Sequence, residues 1–239
     1  MINSLSIVIP LFNEERRLKY SFHNIKKLIK LKKIEKIEII FVDDGSTDKS
    51  KQIIYNFIKN LDKSVDAQLI NVKKNLGKGH ALRKGFLASK NEWVLTSDVD
   101  FSVPIICLLN WINKSYISQK FDIYFGSRAL KKSYVISSKH RIFLGKIYRY
   151  LILLFFKINI KDTQCGFKLY KRKKTRSIFL NLTRFEFDHD LEIALLARKK
   201  KIKIKELPVT WKHTSDSKVN VIKDSLKMFF GIFILFFRN

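Results

Sequence analysis

What most constrains this chain is the alternation, through its first half, of short β-branched runs with stretches of helical periodicity. Residues 6–10 (SIVIP), 37–42 (IEIIFV), 68–72, 93–97 and 123–125 read as strands. Between them, Leu18, Phe22, Ile25 and Ile29 recur at spacings of three and four, and Ile53, Ile54, Phe57, Ile58 and Leu61 do the same, which sets one apolar stripe on each of two helices. Asp44, Ser46 and Thr47 are cap residues ahead of the second helix. Strands alternating with helices build βαβ units, and these predict an α/β, Rossmann-like fold with a mostly parallel sheet flanked by helices. At 239 residues the chain suits one such unit with a full core. In open sheets of this kind a ligand sits outside the C-terminal strand ends, so the loops that follow the strands are where chemistry is expected.

Those loops carry an ordered set of polar groups. After the first strand comes Pro10, Leu11, Phe12, Asn13, Glu14 and Glu15, where the proline ends the strand and polar side chains gather at its mouth. After the second come Asp43 and Asp44, then Gly45, Ser46, Thr47 and Asp48. An Asp-Gly turn explains the glycine and serine but not both acids; a carboxylate here can accept from a base N–H or a ribose hydroxyl. The third loop, KKNLGKGHA from Lys73 to Ala81, is basic and feeds a helix N-terminus, so its backbone N–H groups and Lys78 suit a phosphate. It lacks Walker A spacing, which disfavours a nucleoside triphosphatase. The fourth strand ends in Ser97, Asp98, Val99 and Asp100. Two carboxylates one residue apart can converge on a single hard cation, with a diphosphate completing its shell.

Charge supplies the second constraint. There are 48 Lys and Arg against 21 Asp and Glu, a formal net charge of +27, and such a surface attracts nucleic acid, anionic lipid headgroups or phosphorylated substrates. A nucleic-acid binder would show a basic stripe with interleaved aromatics; here the aromatics lie in apolar runs. Residues 139–158 form a basic amphipathic helix, with Phe143, Ile147, Leu151 and Leu154 along one side and Arg141, Lys146 and Arg149 displaced from it. A second closes the chain at residues 219–238, with MFFGIFILFF at its heart. Both fit helices lying in a membrane interface, and no uninterrupted apolar run reaches the roughly 18 residues of a spanning helix. Met1 to Pro10 lacks the basic start of a signal peptide. Cys107 and Cys165 form no CxxC pair, so a reducing cytosolic setting is expected. His80, His140, His189 and His213 lack metal-ligand spacing.

Taken as a series, PLFNEE, VDDGSTD, KNLGKGHA, SDVD, GSR (Gly126 to Arg128) and DTQCGFKLY (Asp162 to Tyr170) resemble family 2 of the inverting GT-A glycosyltransferases. FDHDLE (Phe187 to Glu192), ELPVTW (Glu206 to Trp211), Ser217 and Lys218 are most similar to its polyprenyl-phosphate glucosyltransferase branch, with the mannosyl branch close. The resemblance divides one catalytic domain, residues 1–239, into a nucleotide-sugar half (1–132), an amphipathic interface helix (133–160), an acceptor half (161–218) and a C-terminal amphipathic helix (219–239). Two departures stand out. No spanning helix precedes the first strand, and Ser102 stands where the mannosyl branch often has glutamine.

The resemblance implies transfer of a hexose, glucose from UDP-glucose ahead of mannose from GDP-mannose, onto a polyprenyl or dolichyl phosphate with inversion. The alternative within the family is a glycan acceptor. Asp98 and Asp100 would hold Mg²⁺ or Mn²⁺, a Lewis acid for the departing diphosphate. Pro10, Asn13, Glu14, Asp43, Asp44, Lys78 and Asp98 would bind the donor. Asp162 would be the base or orienting group, with Asp100 the other catalytic acid. Arg128, Arg141 and Lys218 would hold the acceptor phosphate. The partners are then a nucleotide sugar, a lipid phosphate and an anionic membrane surface at its cytoplasmic face, and no nucleic acid.

Overall fold

The computed structural model describes residues 2–212 and 221–238; Lys218, Ser217 and His213 lie outside them. In chain order the elements are β1 (Ser4–Leu11), α1 (Leu18–Lys30), β2 (Lys36–Asp43), α2 (Ser50–Lys59), β3 (Asp66–Asn71), α3 (Lys78–Ala88), β4 (Trp93–Thr96), α4 (Ile106–Asn113), β5 (Ile123–Ser127), β6 (Tyr134–Ile136), α5 (Lys139–Phe156), β7 (Lys168–Lys171), α6 (Arg172–Leu180), α7 (His189–Lys199), β8 (Ile204–Pro208), β9 (Thr210–Lys212) and α8 (Val221–Arg238).

Seven strands make one sheet in the order β3-β2-β1-β4-β7-β5-β8, and β6 pairs with β9 apart from it. The five strands expected from sequence are all present in the main sheet. β1 and β2 are covered on both faces, which is why they read as unbroken apolar runs rather than alternating ones. One face packs α1, α2 and α4 around Ile7, Ile39, Phe41 and Trp111. The other packs α3, α6 and α7 around Val8, Ile40, Phe86 and Phe179. The sheet is parallel except at β7, which runs antiparallel to both β4 and β5. That inserted strand, which the apolar patterning does not predict, draws the 162–170 segment across the mouth of β4, where Thr96 Oγ1 donates to the Gly166 carbonyl at 3.0 Å.

The two amphipathic helices form a third cluster on α7, in which Tyr148, Ile152 and Phe156 of α5 meet Leu191, Leu195, Ile232 and Leu235. The row that seats on the protein is not the Phe143, Ile147, Leu151 and Leu154 side singled out in the sequence. Phe143 and Leu154 are 63% and 57% exposed, because the 148/152/156 row is the one that seats. On α8, Ile232 and Leu235 face inward while Phe230, Phe233, Ile234, Phe236 and Phe237 stay exposed. Among the described residues no helix is long and apolar enough to cross a membrane.

Candidate active site

The C-terminal ends of β1, β2, β4 and β5 open on a cavity of about 650 Å³ that extends to the inner faces of α5 and α8. Of the residues singled out in the sequence, Pro10, Glu14, Asp44, Lys78, Asp98, Asp100, Arg128, Arg141 and Asp162 all line it. Asn13 and Asp43 do not.

Asn13 instead joins the first loop to the second. Its Oδ1 accepts from Thr47 N at 2.8 Å and Asp48 N at 3.2 Å, and its own N–H donates to Ser46 Oγ at 2.8 Å. A φ of 55° lets one asparagine do this, a left-handed conformation that asparagine tolerates better than most side chains. Asp43, wholly buried, accepts from Ser46 N at 3.0 Å and pairs with Lys51 at 3.5 Å through Oδ2. Its Oδ1 has no hydrogen-bond partner among the described residues.

The basic loop ahead of α3 is built differently from expectation. Asp44 accepts from the N–H groups of Leu76 and Gly77, the latter at 2.7 Å, and Gly79 N donates to the Phe185 carbonyl at 2.8 Å. Those amides are therefore committed within the protein, and what the loop turns toward the cavity is the Lys78 side chain. Gly77 has φ 102°, and a Cβ there would overlap the Phe185 carbonyl; only glycine lets the loop pass under this segment. Burial raises the Asp44 carboxyl despite these bonds, and burial lowers the pKa of His80 beside it.

The turn after β4 closes with Phe101 N donating to the Asp98 carbonyl at 3.1 Å, which presents Asp98 and Asp100 together at the cavity. Each carboxylate already faces a cation of the protein. Lys78 Nζ stands 2.5 Å from Asp98 Oδ1, and the Arg17 guanidinium bonds both Asp100 Oδ2 and Glu14 Oε1. Ser102 donates twice to Asp100, from N at 3.0 Å and from Oγ at 2.8 Å, so it orients the acid. Among the described residues no group of three or more His, Cys, Asp or Glu side chains could hold a metal ion. Arg17 was not marked by the sequence, since a cation just ahead of a basic helix looks solvated; here it is buried.

Elsewhere on the cavity wall, Asp162 grips Arg128. Its Oδ2 accepts from the backbone N at 2.9 Å and Nε at 2.7 Å, and its Oδ1 accepts from Nη2 at 2.9 Å and from Gln164 N at 3.1 Å. Burial alone would raise this carboxyl, but the Arg128 charge and hydrogen bonds hold it below the usual carboxylate range. Arg128 also lies 5.6 Å from the Trp211 ring centroid. Asp190 is a wall residue that the sequence reading passed over. Buried, it pairs with the buried Lys168 at 2.7 Å and with His189 Nε2 at 3.2 Å. Despite burial, its carboxyl is held well below the ordinary range by His189 and Lys168. Cys165 is buried and its thiol is pushed up to about 12 by that burial, as suits packing rather than nucleophilic work.

The glycosyl transferase family 2 profile matches residues 6–179. The chain belongs to glycosyl transferase family 2. This glycosyltransferase is 35% identical to the dolichyl-phosphate beta-glucosyltransferase of Saccharomyces cerevisiae, an alignment covering 94% of the chain and 71% of the yeast protein. It is 31% identical to the human enzyme of that name, over 98% of the chain and 74% of the relative. Its GT-A fold is similar to that of glucosyl-3-phosphoglycerate synthase from Mycobacterium tuberculosis, solved with Mn²⁺, UDP and glucosyl-3-phosphoglycerate. The TM-score there is 0.71 at 13% identity, covering 97% of the chain and 79% of that structure. The same synthase with phosphoglyceric acid gives a TM-score of 0.72 at 15% identity, covering 97% and 79%.

Proposed function

We propose that this family 2 glycosyltransferase moves glucose from UDP-glucose to the phosphate of a polyprenol or dolichol, with inversion, while lying on the cytoplasmic face of a membrane. The observation that carries the reading is the continuity of one cavity. The acids and Lys78 stand at the strand ends, Arg128 stands beside them, and the helix faces that bear Arg141, Arg149, Tyr148 and Ile152 complete the wall. A donor diphosphate suits the first part and an amphiphilic phosphate the second. The names of the curated relatives supply the same donor sugar and acceptor.

The donor set at the β4 turn fits a divalent cation. Two hard carboxylates face one cavity, and Gly166 leaves room beside Asp98, where a Cβ would overlap Oδ2. Asp98 and Asp100 would hold Mg²⁺ or Mn²⁺, which supplies Lewis-acid stabilisation of the leaving diphosphate when bound. The Mn²⁺ in the structurally similar synthase supports that choice.

The protein's own residues have separable tasks in this reading. Lys78 neutralises charge on the diphosphate side. Arg128, its fork oriented by Asp162, receives the acceptor phosphate with Arg141, and a phosphate oxygen attacks the anomeric carbon as the bond to the diphosphate oxygen breaks and carries its electron pair away. Asp162 thus acts as an orienting group, because both its oxygens are taken by hydrogen bonds. The acceptor phosphate is largely ionised near neutral pH, so the reaction calls for aim more than for a strong base. Pro10, Glu14 and the Asp43 oxygen without a partner serve the nucleoside end. Lys218 stays a candidate for the acceptor phosphate outside the described residues. The exposed phenylalanines of α8 and the cations of α5 support the membrane surface as partner, and two buried thiols support a reducing compartment.

The test is a panel of labelled UDP-glucose, GDP-mannose and other nucleotide sugars incubated with polyprenyl phosphate and Mn²⁺ or Mg²⁺. UDP-glucose is expected to give the organic-extractable label. Extraction of label from GDP-mannose alone overturns the donor, and transfer only to soluble glycans overturns the acceptor.

A further inference from the structure

The two acids of the β4 turn are neutralised by cations that are held very differently. Arg17 is fixed: its side chain is 11% exposed and forks to Glu14 and Asp100, and Ser102 braces Asp100 with two more bonds. Lys78 is not. It makes one contact to Asp98, the two side chains are 26% and 36% exposed, and no other hydrogen bond reaches the Asp98 carboxylate among the described residues. A flexible four-carbon stem with a single ionic contact exchanges partners readily, whereas a guanidinium held at both ends does not. Lys78 also feels the charges of Asp190 and Asp100, so its ammonium lies in the field of three acids at the heart of the cavity.

We propose that Lys78 is an exchangeable counter-ion that occupies Asp98 in the empty enzyme and passes to the donor diphosphate when a divalent cation takes Asp98, while Arg17 stays on Asp100. The inference rests on the donor reading given above. Its consequence is that cation and nucleotide bind with positive coupling. A metal ion alone must expel Lys78 into a cavity already lined by Arg17, Arg128, Arg141 and Arg149, and a nucleotide alone meets a lysine tied to Asp98. Together each ligand removes the cost of the other, and the effect is reciprocal.

The experiment measures Mn²⁺ affinity of the full-length protein by the loss of the free-ion electron paramagnetic resonance signal, with and without saturating UDP. Wild type is expected to bind Mn²⁺ at least tenfold more tightly with UDP. Lys78→Met is expected to bind Mn²⁺ without UDP at least tenfold more tightly than wild type, and to show a coupling factor several-fold smaller than that of wild type. Lys78→Gln, which keeps a polar end at the same place, is the second variant should Lys78→Met lose the wild-type Tm. Unchanged or weaker Mn²⁺ binding by both variants, with the wild-type UDP effect intact, overturns the exchange and leaves the donor reading standing. Tighter Mn²⁺ binding by the variants with no effect of UDP on wild type supports the exchange and overturns UDP as the nucleotide.

Discussion

Asp162 binds Arg128 through three of the arginine's donors at once, the backbone N–H, Nε and Nη2, so that both oxygens of one buried acid are committed to a single cation. The Asp162 side chain is 8% exposed and that of Arg128 31%. Arg128→Ala leaves a buried carboxylate with only backbone donors. The expected loss is about 2 kcal/mol, below the usual cost of breaking a fully buried pair because solvent screens the arginine end. In wild type the Asp162 pKa is depressed, so its contribution is full above the unfolded value and fades as pH falls through the folded one. In Arg128→Ala burial raises it, and the sign inverts: the deficit shrinks as pH falls from 7 toward 4. Urea unfolding across that range checks this, and a deficit independent of pH counts against it.

Removing the charge at the β4 turn separates chemistry from stability. Asp98 has one half-buried partner, so Asp98→Asn is expected to keep the wild-type Tm and to lower kcat by about 10²–10³, the scale of losing one preorganised charge at a leaving group. Asp100 anchors buried Arg17 and receives Ser102, so Asp100→Asn is expected to lose activity and also about 1–3 kcal/mol of stability. Chelation should abolish transfer reversibly. Full turnover in EDTA with metal-free protein would sink the assignment.

Membrane attachment is expected to rest on residues that the fold leaves outside. Phe230 and Phe237 are 67% and 84% exposed, whereas Ile232 and Leu235 are buried. Deleting α8 would therefore strip a core cluster, and it is the double variant Phe230→Ser/Phe237→Ser that tests the surface alone. Each phenylalanine inserted among acyl chains contributes about 1.5–3 kcal/mol, and nearby Lys and Arg add a salt-sensitive part. Co-sedimentation with anionic vesicles should weaken by tenfold or more at unchanged Tm. Wild-type protein that stays in the supernatant at low salt removes the interfacial reading.

Much of the first half was legible because parallel strands buried on both faces advertise themselves as apolar runs, and their loops inherit the polar residues. The second half hides its signals. β7 is the strand Lys168–Lys171, and its buried Lys168 is tolerated only because Asp190 and the Cys165 carbonyl receive it; no periodicity marks such a pair. β8 and β9 are short and carry charges. Asp44 and Lys78 were legible as site residues, yet the amides between them were not readable as already bonded, since that depends on how two loops meet. The FDHDLE block could have pointed to Asp190, because an acid that opens a helix beside a basic strand needs a partner.

The acceptor's path makes the last prediction. Along α5 the cavity is bounded by Arg141, Leu144, Gly145, Tyr148 and Ile152, and across from them by Met228 and Phe229 of α8. At Gly145 the wall leaves open space, since a Cβ built there meets nothing within 4 Å. The cavity thus passes from acids and Arg128 at the strand ends to a helix-lined part where Leu144, Tyr148, Ile152, Met228 and Phe229 stand among Arg141 and Arg149, the profile of a phosphate attached to a hydrocarbon tail. A leucine at Gly145 has room at this edge of the cavity without disturbing the fold, and replacing a mid-helix glycine should add about 0.5–1 kcal/mol of stability. Gly145→Leu is therefore expected to raise the apparent KM for long-chain polyprenyl phosphate by about tenfold, the effect of blocking the burial of about two methylene groups. UDP affinity by calorimetry should stay at the wild-type value. An acceptor KM that does not move would place the hydrocarbon tail elsewhere, and a fall in UDP affinity as steep as the loss in acceptor affinity would assign this part of the cavity to the donor.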